Sequence, residues 1–330
     1  MPEMLIDIAA LAAVLLVGLA SGVLGGMLGV GGSIVMIPGM TLAFGFNQHL
    51  YQAAAMIMNV AVALPATLKH RQAGAIVGPV LKWMLPAALV AVIVGVYLSN
   101  RPFFAGIDGG IWLGRILALF LVYVIVMNVL RLAGSTDLRP EANARVTAPR
   151  SAGIGSIMGG VAGLLGVGGG IMAVPLQQTL MRLPLRNAIA NSAAIMCVSA
   201  GLGAIYKTAT LHRHAPAPAA ADAAAPAAAA GDPGPGLDPV LPGPTYDLAR
   251  WQQAILDLVP PLAETGLAAS PVSWQWTLIL AAVLAPTAWI GGRVGAGLTH
   301  RLPIRQVRIA FILLMIVAAW RMAAIPGSPL

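Results

Sequence analysis

Apolar residues run in long blocks at 5–30, 50–68, 76–98, 111–132, 152–169, 187–206, 274–298 and 304–323, with shorter blocks at 33–45 and 170–181. A helix crosses a hydrocarbon core in about 20 residues, so the eight longer blocks predict membrane helices. Polar positions gather between the blocks. The polar stretch 134–151 divides two halves, and 209–272 forms a second break. Within that break, 215–236 contain only Ala, Pro, Gly and Asp, a composition of disordered, partly extended linkers. Further on, "DLARWQQAILDLV" (247–259) has the makings of a short amphipathic surface helix. The preferred reading of the whole insert is nevertheless a poorly ordered segment with no role in transport.

The apolar pattern also repeats. "GMLGVGGSIVMIP" (26–38) and "GLLGVGGGIMAVP" (163–175) place glycine runs where a membrane helix should continue. Gly29-Val30-Gly31-Gly32 matches Gly166-Val167-Gly168-Gly169, 137 positions later. At the same offset Gly22, Gly26, Leu28, Ile34 and Pro38 match Gly159, Gly163, Leu165, Ile171 and Pro175. Later segments match with shifted offsets, "VGVYLSNRP" (94–102) with "VGAGLTHRLP" (294–303). The expected organisation is a first membrane repeat at 1–133, a linker at 134–151, and a second repeat in two parts. Those parts are 152–208 and 273–330, separated by an Ala/Pro-rich, extracytoplasmic insert at 209–272.

Each glycine costs roughly 0.8–1 kcal/mol relative to Ala inside a helix, so Gly-x-Gly-Gly predicts a break. From Ala152 to Gly166 the chain reaches about 22 Å at about 1.5 Å per residue, short of a ~30 Å core. The pieces at 33–45 and 170–181 are also too short to cross. Each repeat is therefore expected to hold a re-entrant or broken Gly-rich helical hairpin plus three transmembrane helices, and the two repeats are inverted. Broken helices at matching positions of two repeats point to a transporter's binding site.

Composition narrows the class. Of 330 residues 58% are hydrophobic and 9% charged, with a mean hydropathy of +0.85. A soluble domain carries about 25% charged residues, so the lipid bilayer is the expected environment. The net charge of +8 comes from residues between apolar blocks, the bias of membrane loops, and no basic stripe suggests nucleic acid. In the inverted arrangement twelve Lys and Arg fall on one side and six on the other, Lys207 among the six. That split assigns the first side to the cytoplasm. It leaves both termini extracytoplasmic, in a multi-pass protein of the inner membrane. Cys197, the single cysteine, has no partner for a disulfide and no metal-ligand companions.

The short helices that start after the glycines offer free N–H groups and the positive end of a dipole. Two such ends meeting would hold a small oxyanion. The candidate substrate-binding residues are Gly29, Gly31, Gly32 and Ser33 in the first copy, and Gly166, Gly168, Gly169 and Gly170 in the second. Asn59, Gln177, Asn191 and Ser192, polar positions inside apolar blocks, are added as path-lining candidates. Glycines four apart, such as Gly22/Gly26 and Gly155/Gly159/Gly163, have the spacing of close helix contacts. His49 sits at a block end, where an interfacial place is expected. No Asp or Glu lies in mid-block, which argues against a carboxylate-centred antiporter. The glycine runs lack the Gly-Lys-Ser/Thr of a nucleotide loop, and no catalytic constellation, metal cluster or cofactor motif is found.

Two copies of "LGVGGSIVMIP" and "LGVGGGIMAVP", each an apolar run closed by proline, resemble the sulfite exporter TauE/SafE family of membrane transporters. The "GxxxGxxLxxRLP…R" pattern at 291–305 is similar to that family's penultimate helix. The resemblance implies a secondary transporter that exports a small sulfur oxyanion or organosulfonate, such as sulfite or sulfoacetate. The first copy departs from the family at "AAAMIM" (53–58), where a small-Thr-Ser element is usual, while Asn191-Ser192 keep it in the second. An anion channel, or a carrier of another small carboxylate or anion, is the alternative on the same scaffold. A homodimer is carried as a possible assembly.

Overall fold

The computed structural model describes residues 2–28, 31–45, 47–104, 106–133, 146–210, 251–253, 255–256, 274–298 and 304–323. Ten α-helices and a short 3₁₀ turn account for most of them. In chain order they are α1 (Pro2–Leu28), α2 (Ser33–Phe44), α3 (Gln48–Gln72), α4 (Gly78–Ser99), the 3₁₀ turn Pro102–Phe104, α5 (Gly106–Ala133), α6 (Ala148–Leu165), α7 (Gly170–Met181), α8 (Leu185–Thr210), α9 (Trp274–Leu298) and α10 (Ile304–Ala323). Six of these, α1, α3, α4, α5, α8 and α9, are long and apolar enough to cross a membrane. The expected all-α membrane fold is what the chain forms. α2 and α7, at 12 residues each, are too short to cross, as expected of pieces that follow a break. The first arm of the first hairpin is longer than the second copy's, 27 residues against 18.

Local chemistry sets the ends. Pro79 and Pro149 occupy the first turns of α4 and α6, where the missing N–H costs nothing. Lys69, His70 and Arg71 close α3, favourably placed at the negative end of the helix dipole. Pro38, Pro175, Pro86 and Pro286 lie inside α2, α7, α4 and α9. These pairs fall at matching places in the two halves.

Packing rests on glycine ladders. α6 lies against α4, and a Cβ added to Gly155, Gly159 or Gly163 would run into the backbone at Met84, Ala88 or Val92. α1 lies against α9 in the same register, with Gly18, Gly22 and Gly26 facing Leu284, Ala288 and Gly292. Each half thus lays its first helix on the fourth helix of the other half. Backbones this close gain dispersion and Cα–H···O contacts that larger residues would prevent. Gly25, in contrast, faces Gly31 and Gly32 of its own hairpin.

α3 and α8 form the centre and run antiparallel. His49 at the start of α3 bonds Lys207 near the end of α8. At the other end, Arg186 and Asn187 at the start of α8 bond the carbonyls of Ala73 and Ala75, just past α3. Outward faces are apolar, with Leu119 and Ile205 each 71% exposed, the composition a lipid environment requires. An open crevice between α4, α5 and α6, lined by Val90, Leu119, Phe120 and Ile157, continues that surface.

One expectation about the insert fails. Residues 251–253 are helical, and Trp251 is buried with its ring 5.8 Å from that of Phe44. An indole removed from water stabilises by apolar burial, so this part of 209–272 belongs to the core. The stretch 215–236 lies outside the described residues.

Gly159→Ala should force α4 and α6 apart and cost about 1–3 kcal/mol of overpacking. Gly153→Ala, with open space around it, should be neutral or stabilise by roughly 0.5–1 kcal/mol. Thermal melting of the purified variants in detergent checks both signs.

Candidate functional site

The two glycine tips converge on the middle of α3 and α8. A Cβ on Gly31 would stand 2.8 Å from the Met196 sulfur and 3.0 Å from Asn59 Oδ1. One on Gly168 would stand 2.7 Å from the same sulfur and 3.1 Å from Asn59 Nδ2. Two segments 137 positions apart therefore touch the same two side chains. Gly31 (φ +90°) and Gly168 (φ +25°) have positive φ, a conformation that L side chains adopt at a cost. Both requirements, conformation and space, select glycine.

Asn59 closes the first tip. Ser33 N–H donates to Asn59 Oδ1 at 3.1 Å, and Asn59 Nδ2 donates to Ser33 Oγ at 2.9 Å. The backbone donor fixes the amide orientation, because only the oxygen can accept from an N–H. Gly32, the N-cap of α2, supplies no side chain, so Asn59 does from α3 what a capping residue does locally. The reciprocal pair leaves one Nδ2 proton and the Ser33 hydroxyl proton without an acceptor among the described residues. Both side chains are buried, at 0% and 1% exposure.

The second tip is built from backbone. Gly166 ends α6 in the left-handed conformation and donates its N–H to the Ala162 carbonyl at 2.9 Å. Gly169, also left-handed, caps α7, and its carbonyl accepts from Met172 and Ala173 at 3.2 Å. The Gly166 backbone rests on Gln52 of α3, whose Nε2 donates to the Leu164 carbonyl. Gly32 and Gly169 face away from the shared centre, toward Ser21 with Met58 and toward Met158.

The candidates thus divide. Gly31, Ser33, Asn59 and Gly168 come together, with Gly32, Gly169 and Gly170 forming the turns beside them. Gly29 lies outside the described residues. Gln177 and Asn191 pair with each other, Asn191 Nδ2 donating to Gln177 Oε1 at 3.2 Å. Asn191 Oδ1 also accepts the Val77 N–H at 2.8 Å, tying α8 to the loop before α4. They form a separate buried cluster. Ser192, next to Asn191 on α8, is buried, its hydroxyl without a hydrogen-bond partner among the described residues. Two residues escaped the sequence reading. Met196 is 137 positions from Asn59, so the repeat offset carried the signal, but a methionine among apolar residues drew no attention. Lys207 was counted as a loop charge, yet it is fully buried, and His49 beside it is buried too.

Comparison with known proteins bears on the whole arrangement. The family model described as "Sulfite exporter TauE/SafE" matches residues 14–242. The chain is 26% identical over 96% of its length to "Probable membrane transporter protein MamO" of Paramagnetospirillum magneticum, and covers 45% of that protein. It is 25% identical to the protein of the same name in Magnetospirillum gryphiswaldense, covering 44% of it. A "Probable membrane transporter protein" of Xylella fastidiosa is 29% identical over 54% of the chain. The chain therefore spans less than half the length of the first two relatives, and no solved structure matches. With the match covering more than half of the chain, both glycine tips included, this multi-pass membrane protein belongs to the sulfite exporter TauE/SafE family of membrane transporters.

Proposed function

We propose that the chain is a secondary transporter that exports a small sulfur oxyanion or organosulfonate, such as sulfite or sulfoacetate, by alternating access. The observation that carries this reading is the meeting of both tips at Asn59 and Met196. An oxyanion there would take the Ser33 hydroxyl proton and the second Asn59 amide proton, beside the positive ends of two short helices. These donors are neutral, so the anion is held by directed hydrogen bonds without a lysine at the tips. Hydrogen bonds to a charged acceptor are each worth about 1.5–3 kcal/mol, enough for capture and weak enough for release. Burial of both tips within the bundle favours a carrier over an open pore. Met196 fills the space between the tips in this state, and its flexible thioether would move aside for the ligand.

The antiparallel α3 and α8, and the exchange of partners between α1–α9 and α6–α4, support two inverted repeats around this centre. The charge split supports an inner-membrane location with both termini outside, and it sharpens once buried Lys207 leaves the loop tally.

In proteoliposomes, efflux of labelled sulfite should saturate and be competed by sulfoacetate. Asn59→Ala and Gly168→Leu, still folded by size-exclusion profile, should lower that flux at least tenfold, the loss of about one charge-assisted hydrogen bond or more. Flux that never saturates would support the channel reading instead, and unaffected variants would refute the site. For orientation, a cysteine at exposed Phe103 should react with an impermeant maleimide in intact cells. Reaction only after lysis would reverse the assignment.

A further inference from the structure

Away from the glycine tips, at the end where α3 begins and α8 finishes, a polar cluster is buried in an otherwise apolar bundle. Lys207 of α8 is 0% exposed and the cluster's only amine. Its Nζ lies 3.0 Å from His49 Nδ1 on α3, 2.9 Å from Ser99 Oγ and 2.9 Å from Asn100 Oδ1 at the end of α4. His49 Nε2 lies 2.8 Å from the Phe104 carbonyl. A carbonyl only accepts, so Nε2 carries the imidazole proton and Nδ1 is left bare to accept. Asn100 Nδ2 in turn donates to Thr210 Oγ1 at 2.6 Å. An ammonium has three N–H donors, and here three acceptors meet them, one at the start of α3 and two at the end of α4.

We propose that Lys207 is a proton-binding site that latches this mouth of the protein: its ammonium pins the ends of α3, α4 and α8 together, and loss of the proton releases them. When an Nζ–H bond breaks, its electron pair stays on nitrogen and the proton passes to water at that face. The neutral amine keeps two N–H groups for three acceptors, and its lone pair then faces a lone pair. One of the three ties is lost. An ionisable group inside a membrane bundle is costly to retain, and a latch that opens by deprotonation gives that cost a use.

Around Lys207 the described residues supply these groups. α3 contributes His49, α4 and the following turn contribute neutral Ser99 and Asn100 with exposed Arg101, and α8 itself adds Tyr206. Asp108, in the first turn of α5, is the acidic position nearest in sequence to Phe104. Among the described residues, those lining the crevice between α8 and α9, such as Ile205, Thr208, Trp274 and Leu278, carry no ionisable group. As the coupling ion of transport, the proton rests on the carrier reading above. The latch itself needs no substrate, so its test stands or falls separately.

That test uses Ala53→Cys, one turn inside His49 and fully buried, in a Cys197→Ala background of the full chain. Its rate of reaction with an impermeant maleimide is divided by that of Phe103→Cys, an exposed control, from pH 6 to 9.5. The ratio should rise about tenfold per pH unit below its midpoint, the slope of a single-proton equilibrium. In Lys207→Met the ratio should be independent of pH. Ser99→Ala, a mild change, should move the midpoint to lower pH, because the charged form loses one acceptor. A flat ratio in the unaltered latch, a slope retained in Lys207→Met, or an unmoved midpoint in Ser99→Ala would overturn the proposal.

Discussion

A helix that stops inside an apolar bundle leaves N–H groups that no bulk water reaches, and every such group must find a partner within the protein. The arrangement of this chain depends on how that demand is met twice. At the first tip the Asn59 amide, projecting from the middle of α3, pairs with both the N–H and the hydroxyl of Ser33. At the second, glycines in left-handed conformations fold the backbone onto itself. Because Asn59 also abuts Gly168, the partner that satisfies one tip locates the other. The packing around them then follows, since tips can meet only if α1 and α6 approach α9 and α4 closely. Glycines every four residues along α1 and α6 permit that approach.

The asymmetry between the copies has a chemical consequence. Ser33 and Asn59 of the first half stand where the second half has Gly170 and Met196. One side of the centre therefore offers polar donors and the other a soft thioether. An anion with an oxyanion head and a small apolar body would match both, which agrees with the organosulfonate end of the proposed substrate range. The family match and the names of its relatives establish a membrane transporter of the TauE/SafE family. They leave the choice of substrate to the centre itself.

Much of the fold was legible because the membrane simplifies the code. Apolar block length gave α9 and α10 to the residue and α3, α4 and α8 to within a few residues. The glycine spacing announced the ladders, and the repeat offset announced the matching tips. What stayed hidden was long-range polar pairing. Nothing near Asn59 in the sequence points to Ser33, 26 residues away, and nothing marks Met196 as its counterpart except the offset. Lys207 read as a loop charge because it follows an apolar block. Its burial depends on acceptors at positions 49, 99 and 100, brought together only by the packing of three helices. Trp251 was missed for a similar reason: its partner Phe44 ends a helix some two hundred residues earlier.

The proposed transport cycle requires one oxyanion to sit between Gly31 and Gly168. Selenite, the heavier analogue of sulfite, locates such a site directly through anomalous scattering at the selenium edge from crystals grown with it. A peak should appear between the two tips, with fitted oxygens about 2.7–3.2 Å from the donors Ser33 Oγ and Asn59 Nδ2 and the Met196 side chain displaced. A strong peak elsewhere in the protein, or an empty centre at saturating selenite, would contradict that requirement.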